Sequence, residues 1–78
     1  MQVTEVTEVA GKGTVRRIGE DGGFWGLRGD DGRSYRLEGL SPVYQKEGTR
    51  IRFRGRRRGP LQLAPWSMVL ELTDVSGV

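Results

Sequence analysis

Residues 50–58 read RIRFRGRRR, and their arginines are the densest chemistry in the chain. If Thr49 to Arg56 forms a β-strand, Arg50, Arg52 and Arg54 share one side, about 6.8 Å apart at about 3.4 Å per residue. Ile51 and Phe53 then face the other way and pack inward. Arg56, Arg57 and Arg58 carry the charge on into a following loop. A guanidinium offers a planar fork of donors that matches phosphate or carboxylate and also stacks on flat rings. A row with this spacing can follow the phosphates of an extended single strand of DNA or RNA. The competing reading is that these arginines solvate an outer face and keep a strand edge from pairing with other chains. Arg28 and Arg36 extend the same candidate patch, and Phe24 adds one ring on which a base can stack.

Other chemistry has few residues to work with. The sequence holds no histidine and no cysteine, which removes the usual proton shuttle, the thiol nucleophile and the soft-metal ligands. Glu20, Asp21, Asp30 and Asp31 stand in turn sequences, where Asp-Gly is favoured for backbone reasons. GKGT at Gly11 to Thr14 lacks the glycine spacing and the following helix of a phosphate loop. The expectation is a non-catalytic protein with no cofactor and no metal.

A small chain must position these groups. Its 78 residues make one domain, and 35% hydrophobic content leaves little material for a core. Ordering costs about 1.5 kcal/mol per residue, which nearly cancels apolar burial in so small a chain. No disulfide can help, so a homodimer is one way to bury more. Formal net charge is +3, and all but Lys12 and Lys46 of the 13 cations are arginine. That net charge alone is too small to imply nucleic acid. No apolar run is long enough to span a bilayer, and MQVTEVTEV is acidic where a signal peptide is basic. A soluble cytoplasmic protein is the expectation, with an exported mature domain as the alternative.

Glycines recur at short intervals with β-branched residues between them, a pattern of short strands and tight turns. Residues 1–10 read as an N-terminal extension or an extra strand, and residues 11–76 as a single domain. The spacing predicts strands at Gly11 to Ile18, Phe24 to Arg28, Arg33 to Leu37, Thr49 to Arg56 and Trp66 to Val75. Ser41-Pro42 suits the start of a single helical turn. Tyr44 in that turn and Trp66 at the start of the last strand both read as side chains that close the ends of a core. Five strands with one short helical turn between the third and fourth predict an all-β, OB-type barrel. An SH3-like barrel is the alternative.

The hairpin GGFWGLRGDDGRSYRL tests its own register. A two-residue turn at Asp31-Gly32 mixes apolar and charged groups on both faces. A three-residue loop with Gly32 in the left-handed position sets Leu27 opposite Tyr35 and Trp25 opposite Leu37. One face then reads Trp25, Leu27, Tyr35, Leu37 and the other Phe24, Gly26, Arg28, Ser34, Arg36. A slip of one residue would expose the apolar face, so the three-residue loop is expected.

From Gly13 to Val75 the chain resembles a group of small bacterial OB-like domains. Gly22, Gly23, Phe24, Trp25, Gly26, Gly29, Asp30, Asp31, Gly32 and Tyr35 carry the likeness, which implies the barrel and no assigned activity. The GGFWG start also resembles the strand on which cold-shock domains stack RNA bases. Phe24 and Gly26 occupy the two stacking positions, so the second ring is missing. The expectation is therefore an OB-fold binding module that takes single-stranded nucleic acid through Arg50, Arg52, Arg54 and Arg56 to Arg58. The alternative is a structural or protein-interaction domain, with an acidic protein surface or a second copy of the chain as partner.

Overall fold

The computed structural model of the chain describes residues 6–19, 22–58, 66 and 68–78. Five strands follow in order: β1 (Val6–Ile18), β2 (Phe24–Gly29), β3 (Ser34–Glu38), β4 (Arg50–Arg58) and β5 (Met68–Gly77). A single 3-10 turn, Pro42–Tyr44, sits between β3 and β4, with Pro42 opening it as Ser41-Pro42 suggested. The strands close into a barrel in the order β1-β2-β3-β5-β4. Only β3 and β5 run parallel; the other neighbours are antiparallel. This is the small OB-type barrel that the strand count predicted.

The first hairpin takes the three-residue loop. Leu27 pairs with Tyr35 and Arg28 with Ser34. The loop closes through the Gly29 amide on the Arg33 carbonyl at 2.8 Å and the Gly32 amide on the Gly29 carbonyl at 3.0 Å. Gly32 has φ 87°, a conformation open to glycine at little cost. The Asp31 carboxylate accepts from the Arg33 amide at 2.9 Å and ties the far side of the loop.

That register fills the interior. Val15, Leu27, Tyr35, Leu37, Leu40, Ile51, Phe53, Met68 and Leu70 are the buried core, with the Tyr35 and Phe53 rings edge to face at 6.4 Å. Trp25 and Tyr44 are half-buried and pack against it. The inward alternation of β5 changes phase: Met68, Leu70 and Leu72 face in, and then Val75 does. A bulge opposite Gly55 causes this, since Arg54 pairs with Asp74 and Gly55 already pairs with Leu72. A Cβ on Gly55 would stand 2.6 Å from the Glu71 carbonyl oxygen, so the bulge requires glycine there.

Several strand boundaries differ from expectation, three of them with consequences for the site. β1 begins at Val6, because the backbone of Val6 to Ala10 pairs with Arg58 to Arg54. β4 correspondingly runs to Arg58, so Arg56, Arg57 and Arg58 belong to a strand and not to a loop. β5 begins at Met68, which leaves Trp66 outside it. Glu20, Asp21 and residues 59–65, where the sequence suggests a loop, lie outside the described residues. No helix among the described residues is long and apolar enough to cross a membrane.

Candidate functional site

The outer face of β2 and β3 carries Phe24, Arg28, Ser34 and Arg36, with Gly26 between Phe24 and Arg28. Without a side chain, Gly26 leaves bare backbone on that face, and the indole of Trp66 lies over it. A Cβ on Gly26 would meet Trp66 Cζ3 at 2.5 Å and Cε3 at 2.8 Å. The rings of Phe24 and Trp66 meet edge to face, with centroids 6.3 Å apart and an interplanar angle of 67°. Each ring also has a guanidinium over it: Arg36 stands 4.4 Å from the Phe24 centroid and Arg28 stands 5.7 Å from that of Trp66. Neither arginine has a carboxylate within ion-pair distance among the described residues.

This corrects the placement of Trp66 at the end of the core. The inner rows are already filled by Leu27, Tyr35 and Leu70, whereas Gly26 leaves room outside. Trp66 reaches that room with φ 67°, and it is the one non-glycine with positive φ among the described residues. A left-handed conformation costs a bulky residue on the order of 1–3 kcal/mol and is kept where surrounding contacts impose it. Phe24 is consequently not the only ring on this face. Trp66 supplies from a distant segment the second ring that position 26 lacks. A glycine inside a strand was the signal available in the sequence, because it marks a place that something else approaches closely.

Trp25 occupies the neighbouring inner position. Its ring packs on the core, and the Arg17 guanidinium lies 5.1 Å from its centroid.

The arginine row of β4 has different surroundings. Arg50, Arg52, Arg54, Arg56 and Arg58 are all exposed, alternating with buried Ile51, Phe53 and Gly55. Arg50 donates to both carboxylate oxygens of Asp30 at 2.6 and 2.8 Å and to the Thr14 hydroxyl at 3.2 Å. These hydrogen bonds, joined by the guanidinium charge, hold the Asp30 carboxyl below its ordinary value and raise Arg50. Arg58 donates to Glu38 over the intervening β5, on the outer surface. Arg54 pairs in register with Asp74, and Arg56 lies between Glu8 and Glu71. Arg57 is on the inner row, half-buried, and donates to the Thr7 hydroxyl at 3.2 Å. Its side chain thus closes the strand's inner face and does not continue the outer row.

Eight of the nine residues selected from the sequence fall into two groups, and Arg57, on the inner row, joins neither. Phe24, Arg28 and Arg36 come together around Trp66. Arg50, Arg52, Arg54, Arg56 and Arg58 line β4, two strands away from β2 across Thr14, which pairs with both Arg28 and Arg50. On β4, Asp30 and Glu38 hold Arg50 and Arg58 in ion pairs; Arg52, Arg54 and Arg56 form none among the described residues, and neither do Arg28 and Arg36 of the aromatic group.

The model of a family described as "Protein of unknown function (DUF5818)" matches residues 12–71. Those residues include every member of the aromatic group. Comparison with curated proteins and with solved structures gives no match.

Proposed function

Given that the chain belongs to the family of unknown function DUF5818, we propose from its own surface that it is a non-catalytic module that binds single-stranded nucleic acid. The single observation behind this reading is the paired rings of Phe24 and Trp66, each with an arginine over it that has no acidic partner among the described residues. Aromatic rings on a β-face stack with bases at about 1–3 kcal/mol per base, with little sequence preference. A guanidinium lying over a ring keeps its N–H donors in its own plane, where phosphate oxygens can reach them. Arg28 and Arg36 therefore serve the backbone while Phe24 and Trp66 serve the bases. The β4 arginines contribute less than their number suggests, because Asp30 and Glu38 already occupy Arg50 and Arg58.

The test is a titration of the protein with oligothymidylate, read by Trp66 fluorescence in a Trp25→Phe background. Quenching that saturates at low salt is expected, with a log–log salt slope near −1.4 from two phosphate contacts at about −0.7 each. Fluorescence that stays flat at low salt would end this reading.

A second reading, self-association, has one observation in its favour. From Val6 to Gly11, β1 pairs with β4 alone among the described residues, which leaves its other edge open. An open edge is a template for another strand. Sedimentation that stays monomeric at high concentration would remove it.

A further inference from the structure

The outer surface formed by β1, β4 and β5 holds an open depression of about 370 Å³, away from the aromatic group. Its rim includes Ala10, Lys12, Arg52, Arg54, Asp74 and Ser76. The strand register explains the hollow. Arg52 pairs with Lys12 on one side and Ser76 on the other, and Arg54 with Ala10 and Asp74. Ala10 is too short to cover its neighbours, so the space beside Arg54 stays unfilled. Lys12 and Arg52 place two like charges directly across an antiparallel pair, an arrangement that costs stability. Neither forms an ion pair among the described residues. The nearby carboxylates have other work: both oxygens of Asp30 accept from Arg50, and Asp74 stands opposite Arg54.

We infer that this hollow is an oxyanion site for a phosphate group, held by Lys12, Arg52 and Arg54 with the Ser76 hydroxyl as an added donor. A phosphate there removes the repulsion between Lys12 and Arg52, and one carboxylate, Asp74, leaves the rim with surplus positive charge. The phosphate comes either from a nucleic-acid backbone or from a small phosphorylated molecule; the chemistry at the rim is the same. The site does not depend on the Phe24–Trp66 face.

The probe is inorganic phosphate, added to the full chain at constant ionic strength while amide shifts are followed by NMR. Saturating shifts at the amides of Lys12, Arg52 and Ser76 are expected. Arg52→Gln and Lys12→Gln should each weaken the midpoint on the order of tenfold, as expected for a lost charge-assisted contact. Arg56→Gln, a control outside the hollow with the same change of charge, should leave it in place. Shifts that chloride reproduces equally, or that Arg52→Gln and Arg56→Gln weaken alike, would overturn the site. Among supporting outcomes, oligothymidylate that displaces the phosphate signal identifies a strand backbone as the source. Phosphate that stays bound in its presence identifies a small molecule. Trp66 quenching is read separately, so failure in the hollow and failure on the aromatic face are told apart.

Discussion

The indole of Trp66 lies over Gly26 so closely that the smallest side chain at position 26 would stand 2.5 Å from it. Two residues far apart in the chain thus define one surface, and a side chain at position 26 would displace the indole from it. The contact also places the ring that Phe24 and Arg28 meet.

Gly26→Ala should push the indole off the face while leaving the barrel intact. Alanine recovers backbone entropy in a strand, so the stability change should stay within about 1 kcal/mol. Oligothymidylate affinity should fall about tenfold. Chemical denaturation together with the fluorescence titration separates the two effects.

Trp66→Ala and Trp25→Ala should differ in kind. Loss of Trp66 should cost about 1–3 kcal/mol of oligonucleotide binding, with stability little changed because backbone strain is released along with the contact. Loss of Trp25 should destabilise by about 2–3 kcal/mol, below the roughly 3–5 kcal/mol of a fully buried ring, since it is only half-buried. Denaturant midpoints and binding curves on both variants check the contrast.

Replacing Arg28 and Arg36 together with glutamine should bring the salt slope of oligonucleotide binding close to zero. Arg58→Gln should leave the slope near the wild-type value, because Arg58 is already occupied by Glu38. Titrations at several salt concentrations decide this.

Tyr35→Phe should be neutral or stabilising by up to about 1 kcal/mol. The Tyr35 hydroxyl is buried and meets no hydrogen-bond partner among the described residues, and removing an unsatisfied group recovers its desolvation cost. Burial raises the phenol above its ordinary range, with Asp31 adding to the shift and the Arg33 and Arg57 guanidiniums opposing it. A midpoint lowered by more than about 1 kcal/mol would reveal a partner for the hydroxyl.

The Asp30–Arg50 pair predicts an acid dependence. The folded carboxyl titrates below its ordinary 3.8, so the pair adds stability above that value and loses it as pH falls through the lowered one. Wild type should therefore exceed Asp30→Asn in stability at neutral pH, and the two should converge in strong acid. Both side chains are exposed, so the difference is small. Denaturation of both proteins across the acid range reads it out.

The barrel was legible because each part of it follows a local rule. Alternation in RIRFR set Ile51 and Phe53 inward, and the Asp-Asp-Gly loop fixed Leu27 against Tyr35. Phase changes were not legible. Nothing local at Leu72 to Val75 reveals a bulge, because its cause is Gly55 on the neighbouring strand. The site was half legible: Phe24, Arg28 and Arg36 share a face by parity alone, but Trp66 arrives from elsewhere, and only the empty position 26 hinted at it. The β4 row was found by its spacing, but its surroundings were not legible. The carboxylates beside it lie on β1, β3, β5 and the hairpin loop, which only the closed topology brings together.

The parallel contact between β3 and β5 joins Tyr35 to Met68 and Leu37 to Leu70 across the whole of β4. Such distant pairing must wait for its loop to close, which makes it slow. On the ribosome, β1, β2 and β3 can form their meander as they emerge, yet Leu27, Tyr35 and Leu37 are covered in full only once Met68–Gly77 has been made. A nascent chain halted short of Met68 would present that apolar row to whatever waits at the exit tunnel. The last strand is therefore the one whose arrival takes that row out of reach.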